Sequence, residues 1–380
     1  MITSGMTEQT ERLTGQQVVH NDLEFIATNL TEEFRRIAGH NLLVTGGAGF
    51  LGHYLVQSAL YWNRTRPGPS IDVTVYDSYI RGVPQWLKDL DGTANLHLLQ
   101  HNMAEPLPAS MGDFEYIIHA ASTASPTYYR KDPIGTMDAN IFGLRALLEY
   151  ARRRMDAGKR FKGFLFYSSS EIYGDPTPEN IPTPETYRGL VSCTGPRACY
   201  DEAKRYGETL CVNFAHQYGV PVMSARPFNN YGPGLKISDR RVIPDFARDV
   251  MNGSDIILLS DGSPKRTFCY VADAICGYYK ILAKGQPSEA YNIGVEKPEI
   301  SMAELADKIR ALGCELFGYT GKVVRQESAD GDYLLDNPLR RCPVIEKARR
   351  DLGFNPSVSI DDGLRRGMIW YGDNRVAEDS

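Results

Sequence analysis

Apolar residues along the chain fall into two rhythms. Short runs at "NLLVT" (41–45), "IDVTVYD" (71–77), "ANLHLLQHN" (94–102), "FEYIIHAA" (114–121), "FKGFLFYSSS" (161–170) and "VPVMSARPF" (220–228) predict six strands. Between them, "HYLVQSAL" (53–60), "NIFGLRALLEYARRR" (140–154) and "DEAKRYGETLCVNFAHQYG" (201–219) repeat every three or four positions and predict helices, the last closing on Gly219. Strands alternating with helices predict an α/β fold, a Rossmann-type doubly wound parallel sheet. Beyond Pro227 the alternation stops and loops gain Gly, Pro and Arg, as in "NNYGPGLKISDRR" (229–241). This divides the chain into an N-terminal extension (1–38), a nucleotide-binding domain (39–226, with 268–295 returning to it) and a smaller α/β substrate-binding domain (227–267 and 296–380). The extension reads as a polar tail followed by one or two short helices ending near Gly39.

Composition narrows the setting more than the chemistry. The 380 residues are 42% apolar and 23% charged, ordinary for a soluble globular protein. A net charge of -5 gives no basic patch of the kind nucleic acid requires. No stretch approaches the ~18–20 apolar residues of a membrane span, and the polar N-terminus reads as no signal peptide. The seven cysteines are scattered without a C-x-x-C pair, which points to reduced thiols in a cytoplasmic protein, with no metal site or disulfide framework.

Gly46, Gly49 and Gly52 form G-x-x-G-x-x-G between the first strand and its helix. Glycines there allow a tight turn and close backbone approach, and the helix start at Phe50 and Leu51 offers N–H groups to a pyrophosphate. Asp77 ends the next strand, where a carboxylate accepts from ribose hydroxyls and repels a 2′-phosphate. The expected cofactor is NAD. Tyr200 and Lys204 stand four apart at a helix start and so share a face. A nearby ammonium favours the phenolate of Tyr200. The serines ending the fifth strand supply hydroxyls to hold a substrate oxygen while the tyrosine moves its proton.

With these elements the chain resembles the extended short-chain dehydrogenase/reductase family, whose members act on nucleotide-diphosphate sugars. "SSSEIYGDP", "GPRACYDEAKRYGETLC", "ARPFNNYGP", "KRTFCYVAD", "YNIG" and "NPLRRCP" are similar, in order, to its UDP-glucuronate decarboxylases (UDP-xylose synthases), over roughly residues 40–375. Related 4,6-dehydratases carry Asp-Glu after the fifth strand, the acid protonating a departing hydroxyl. Here Ser170-Glu171 stands there, and carbon dioxide leaves without needing such an acid.

The resemblance implies decarboxylation of UDP-glucuronate to UDP-xylose through a 4-keto intermediate, NAD being regenerated in each turnover. A UDP-glucuronate 4-epimerase, another sugar-nucleotide epimerase or dehydratase, a 4-keto-releasing oxidoreductase and a non-catalytic NAD-binding protein remain open. It implies catalytic roles for Tyr200, Lys204, Glu171, Ser169 and Ser170, and a cofactor wall that adds Asn102, Ala120 and Ala121. Substrate contacts fall to Ser122, Asn229, Arg241, Arg266 and Arg341, with Arg341 expected at the nucleotide or ribose end. His119 and Asn140 read as structural. Family members pair through two helices each, so the segments 140–154 and 203–217 predict a homodimer. Extra residues before Arg341 and the change from Asp to Asn102 depart from the pattern.

Overall fold

The computed structural model describes residues 13–327 and 338–374. Its centre is a seven-stranded sheet of β1 (Asn41–Thr45), β2 (Asp72–Asp77), β3 (Leu96–Gln100), β4 (Tyr116–His119), β5 (Gly163–Tyr167), β6 (Val222–Pro227) and β7 (Ala290–Ile293). The order is β7-β6-β5-β4-β1-β2-β3, and every neighbouring pair is parallel. The chain reverses direction across the sheet between β1 and β4, the crevice where such sheets bind nucleotides. Strands β4 and β5 are buried along their whole length, which is why they read as unbroken apolar runs.

Helices cover the sheet and its far end, and those used below are named in chain order. They are α1 (Gly15–Asn29), α2 (Thr31–Ile37), α3 (Phe50–Thr65), α4 (Leu144–Asp156), α5 (Ala198–Tyr218), α6 (Val242–Met251), α7 (Val271–Lys284), α8 (Met302–Phe317) and α9 (Ile360–Asp373). Helix α5 starts three residues earlier than the periodicity suggests and ends on left-handed Gly219, as read. Beyond β6, β7 was not visible as a rhythm, because its sequence AYNI sets a buried polar residue, Asn292, inside the apolar run. It joins the sheet through α7, pairing Ala290 with Ser224.

Residues 13–38 carry α1 and α2. A capping box between Thr14 and Gln17 starts α1, and Leu23, Ile26, Phe34 and Ile37 enter the same core as α3, α7 and α9. Among the described residues three small sheets accompany the main one. In one, Lys265–Arg266 pairs antiparallel with Ile300–Ser301 and parallel with Arg340–Arg341. That register sets Arg341 directly beside Arg266.

Candidate active site

A cavity of about 970 Å³ opens at the carboxyl ends of β1, β4 and β5 and runs to the Arg266–Arg341 ladder. Its cofactor-side wall starts at the glycine turn. Gly46 is left-handed (φ +73°), and a Cβ there would stand 2.7 Å from the Ala121 backbone. A Cβ on Gly52 would strike the Gly47 carbonyl at 2.2 Å, so the helix packs tightly against its own turn. Gly49 precedes α3 without a side-chain cap, leaving the N–H groups of its first turn to a ligand. The Asp77 carboxylate accepts from the N–H groups of Ala48 (3.0 Å) and Tyr79 (2.8 Å), locking the turn to the end of β2. Burial raises its pKa.

Phe50, Leu51, Asn102, Ala120 and Ala121 all line this end of the cavity. Asn102 caps its own loop by accepting from the Ala104 N–H. His119 is buried against Thr45 (2.7 Å), and burial holds its imidazole neutral, its pKa down at about 3. Asn140 donates to Ser122 (2.9 Å) and to the Thr136 carbonyl, tying Ser122 to the wall.

Tyr200 and Lys204 share the buried face of α5, as their spacing requires. The Lys204 ammonium donates to the Tyr167 carbonyl (2.7 Å) and lies 5.5 Å from the Tyr200 ring centre. Burial pushes Lys204 down to about 7 and Tyr200 up to about 12. The counterweight at Tyr200 is a hydrogen bond from Ser169, which favours the phenolate. Ser169 Oγ also accepts from the Glu171 N–H (3.1 Å), fixing the one-turn helix Ser170–Tyr173. Ser170 is buried in the cavity wall beside them.

Glu171 is held by two arginines. Both nitrogens of the Arg341 fork meet its oxygens, at 2.5 and 2.6 Å, and Arg197 Nη2 meets Oε2 at 2.6 Å. Burial opposes the charge, yet Arg197 and Arg341 hold the carboxyl down at about 2. The strand register aims the Arg341 fork at Glu171. Arg266 donates to the Lys265 and Pro338 carbonyls, and burial beside Arg341 pushes it down to about 9. Asn229 donates to the Thr267 carbonyl (2.8 Å), and Arg241 pairs with Asp239 (2.8 Å), which also pairs with Arg81 (2.6 Å).

Three of these groups were missed from sequence. Arg197 lies within the quoted "GPRACY", three residues before Tyr200, and that spacing was the available signal. Tyr129 stacks on Tyr200 (5.1 Å, 9°) and its hydroxyl finds no hydrogen-bond partner among the described residues. Asp239 sits in a loop with no pattern. Of the segment with the extra residues before Arg341, positions 328–337 lie outside the described residues.

A profile of the NAD dependent epimerase/dehydratase family matches residues 42–294. The chain belongs to that family. UDP-glucuronic acid decarboxylase 3 of Arabidopsis thaliana is 34% identical over 323 residues, covering 85% of this chain and 86% of the relative. UDP-glucuronic acid decarboxylase 1 of Xenopus tropicalis is 34% identical, covering 87% and 72%. Among solved structures, a Thermotoga maritima UDP-glucose 4-epimerase with UDP-glucose superposes with a TM-score of 0.72 at 26% identity, covering 87% of this chain and 98% of that one. A Bordetella bronchiseptica enzyme with NAD+ and UDP gives 0.71 at 26% identity, covering 90% and 95%. The family is NAD-dependent, and the glycine turn with its uncapped helix start fits that cofactor.

Proposed function

We infer that the chain decarboxylates UDP-glucuronate to UDP-xylose. One observation carries the reading: the carboxylate at the sugar end, Glu171, is locked ionised between Arg197 and Arg341, with Ser170 beside it. A site that expels a hydroxyl needs a carboxylic acid to protonate it, and next to Glu171 the chain carries Ser170 instead. Loss of carbon dioxide needs none. The similarity to plant and vertebrate decarboxylases supports the same choice.

NAD, when bound along Gly46, Gly49, Phe50, Leu51, Gly52, Asp77, Asn102, Ala120 and Ala121, supplies the reversible two-electron oxidation at C4 of the sugar. Tyr200 takes the proton of the 4-hydroxyl, assisted by the Ser169 hydrogen bond and the buried Lys204. The bond from C5 to the carboxylate then breaks with its electron pair drawn toward the C4 oxygen, where Ser169 and Tyr200 stand as donors. Glu171 orients substrate or water near C5, where a proton returns. Ser122, Asn229, Arg241 and Arg266 hold the sugar nucleotide, and Arg341 joins them through Glu171. In this reading residues 39–226 with 268–295 bind NAD, and 227–267 with 296–380 bind the sugar nucleotide.

A homodimer belongs to the same proposal. Helices α4 and α5 lie side by side; Tyr206 and Tyr218 are exposed on α5, and Phe142 is exposed in the turn Ala139–Gly143 that leads into α4, as a four-helix contact requires. A cytoplasmic location is supported by seven unpaired cysteines. Incubation with UDP-glucuronate and NMR of the product tests the function: UDP-xylose and carbon dioxide are expected. A 4-keto-6-deoxy sugar from any nucleotide hexose would reassign it as a dehydratase.

A further inference from the structure

We propose that helices α1 and α2 form an internal clamp that joins the NAD wall of the cavity to the sugar-nucleotide wall, so that NAD stays bound between turnovers. The consequence for NAD rests on the reading above, in which α3 holds that cofactor and α9 belongs with the sugar nucleotide. The clamp itself rests on hydrogen bonds and packing.

Helix α3 leaves the glycine turn, and Phe50, Leu51, Gly52 and His53 of its first turn line the cavity. Helix α9 packs on α6 and α8, and its Trp370 lines the cavity too. The Tyr371 hydroxyl donates to the Leu235 carbonyl (2.8 Å), tying α9 to a loop of the same wall. Helices α3 and α9 make little contact with each other, and α1 packs against both. Where α3 meets that loop directly, a Cβ on Gly234 would strike the His53 ring at 2.9 Å. His53 Nδ1 has no hydrogen-bond partner there among the described residues. At this seam the polar ties come from α1.

Asp22 makes three of them. It accepts from Tyr54 of α3 and from Tyr270 at the start of α7, and it pairs with Arg366 of α9. Glu24 adds two toward α3, accepting from Tyr61 (2.9 Å) and pairing with Arg66 (2.7 Å) just past the helix end. The Gly15 N–H, first of α1, donates to Asp373 at the end of α9 (2.7 Å). In α2, Glu33 pairs with Lys280 and Lys284 of α7 (3.4 and 2.8 Å).

Val18, Asp22, Leu23, Ile26 and Ala27 are all buried on α1, so Asp22 stands inside an apolar stripe. An apolar residue there would pack as well without the cost of burying a charge. What the carboxylate adds is direction, since its three bonds form together in one arrangement of α1, α3, α7 and α9. A ligand held between two walls leaves only as they part, and its release follows the fraction of time they are open. Ties that cross from one wall to the other reduce that fraction.

The test follows NAD release with no sugar nucleotide present. Protein loaded with radiolabelled NAD is chased with unlabelled NAD, and retained label is counted by rapid filtration. Arg366→Met cuts the tie to α9 and leaves Asp22 its two phenols. It should release NAD about 10- to 100-fold faster than wild type, the scale of one hydrogen bond to a charged group. In NAD-free protein the same variant should speed amide hydrogen exchange in α3 and α9 together. A second, covalent version tightens the clamp. A Cβ on Gly15 would lie 3.4 Å from the Asp373 Cβ, close to the ~3.8 Å of a disulfide. Gly15→Cys with Asp373→Cys, oxidised by oxidised glutathione, should release NAD about 10-fold or more slower than the same protein reduced, with wild type treated alike as the blank. This pair decides alone should Arg366→Met not fold. Equal release from wild type and Arg366→Met, or from the oxidised and reduced pair, would overturn the clamp. So would faster release with amide exchange in α3 and α9 unchanged. If wild type gives no UDP-xylose, the functional reading fails, and NAD release still decides the clamp.

Discussion

Two buried carboxylates, Glu171 and Asp22, are each surrounded by arginine and tyrosine, and the balance of charge around them differs. Asp22 lies on α1, fully enclosed. It accepts from the hydroxyls of Tyr54 (2.7 Å) and Tyr270 (2.6 Å) and pairs with Arg366 (2.8 Å). One cation meets one anion, and the rest of the shell is neutral, so burial wins and its pKa is raised. Glu171 lies on a cavity wall with Arg197 and Arg341 bonded to it and Arg266 next in the ladder. There the cations win, and the carboxyl falls to about 2. A one-to-one pair sealed by phenols is a rivet between α1, α3 and α9. A carboxylate outnumbered by guanidiniums on a cavity wall leaves positive charge over for an anion from outside.

Breaking the two carboxylates should therefore give opposite phenotypes. Glu171→Gln should cost roughly 100- to 10,000-fold in kcat, the range of general acid–base catalysis, with NAD binding retained. Tyr200→Phe should fall in the same range. Near-normal steady-state turnover in either variant would place that group in the scaffold. Asp22→Ala leaves Arg366 and two phenols without their acceptor. It should cost about 3–5 kcal/mol in denaturant unfolding while kcat of the folded fraction stays at the wild-type value. A loss of kcat without a loss of stability would mean that α1 serves the site directly.

The contrast also explains what could be read beforehand. The strands, the glycine turn, Asp77 and the Tyr200–Lys204 pair were legible because each is a local pattern with a fixed period or spacing. Ser170-Glu171 was legible as a pair of residue types. Its partner was not: Arg341 lies 170 residues away and is aimed by a two-residue strand too short to leave a rhythm. Likewise one or two helices before Gly39 were expected, but nothing local announces that Asp22 pairs with Arg366, 344 positions on. Local chemistry was visible in sequence, and charge balance, which is set by distant residues, was not.

Asp239 offers an intermediate case. Its carboxylate is buried and shared by Arg81, from the loop after β2, and by Arg241, from the loop before α6. Both arginines line the cavity, about one-third exposed. Like Glu171 it is outnumbered, but its cations reach water, which screens them. Asp239→Asn should therefore raise KM for the sugar nucleotide by about 3- to 10-fold, the scale of one ordinary hydrogen bond, with kcat little changed. A pure loss of kcat in steady-state kinetics would contradict that placement.

The smallest effect compares the two carboxylates through their response to pH. Glu171 has a folded-state pKa below the ordinary glutamate value of 4.5, so its ionisation adds stability above that value, and the contribution fades as pH falls from about 4.5 toward about 2. Asp22 has a folded-state pKa above the ordinary aspartate value of 3.8. It binds its proton more tightly folded than unfolded, so its contribution is fullest below 3.8 and is lost as pH rises through the raised value. Between pH 6 and pH 4 the two should slope in opposite directions. Measured by denaturant unfolding, the advantage of wild type over Glu171→Gln should shrink on acidification, while its advantage over Asp22→Asn should grow. Each slope is bounded by one proton, about 1.4 kcal/mol per pH unit, and only part of each titration falls inside the window. Parallel slopes would show that both carboxylates keep the same charge, and the distinction between a riveting and a receiving arrangement would then rest on kinetics alone.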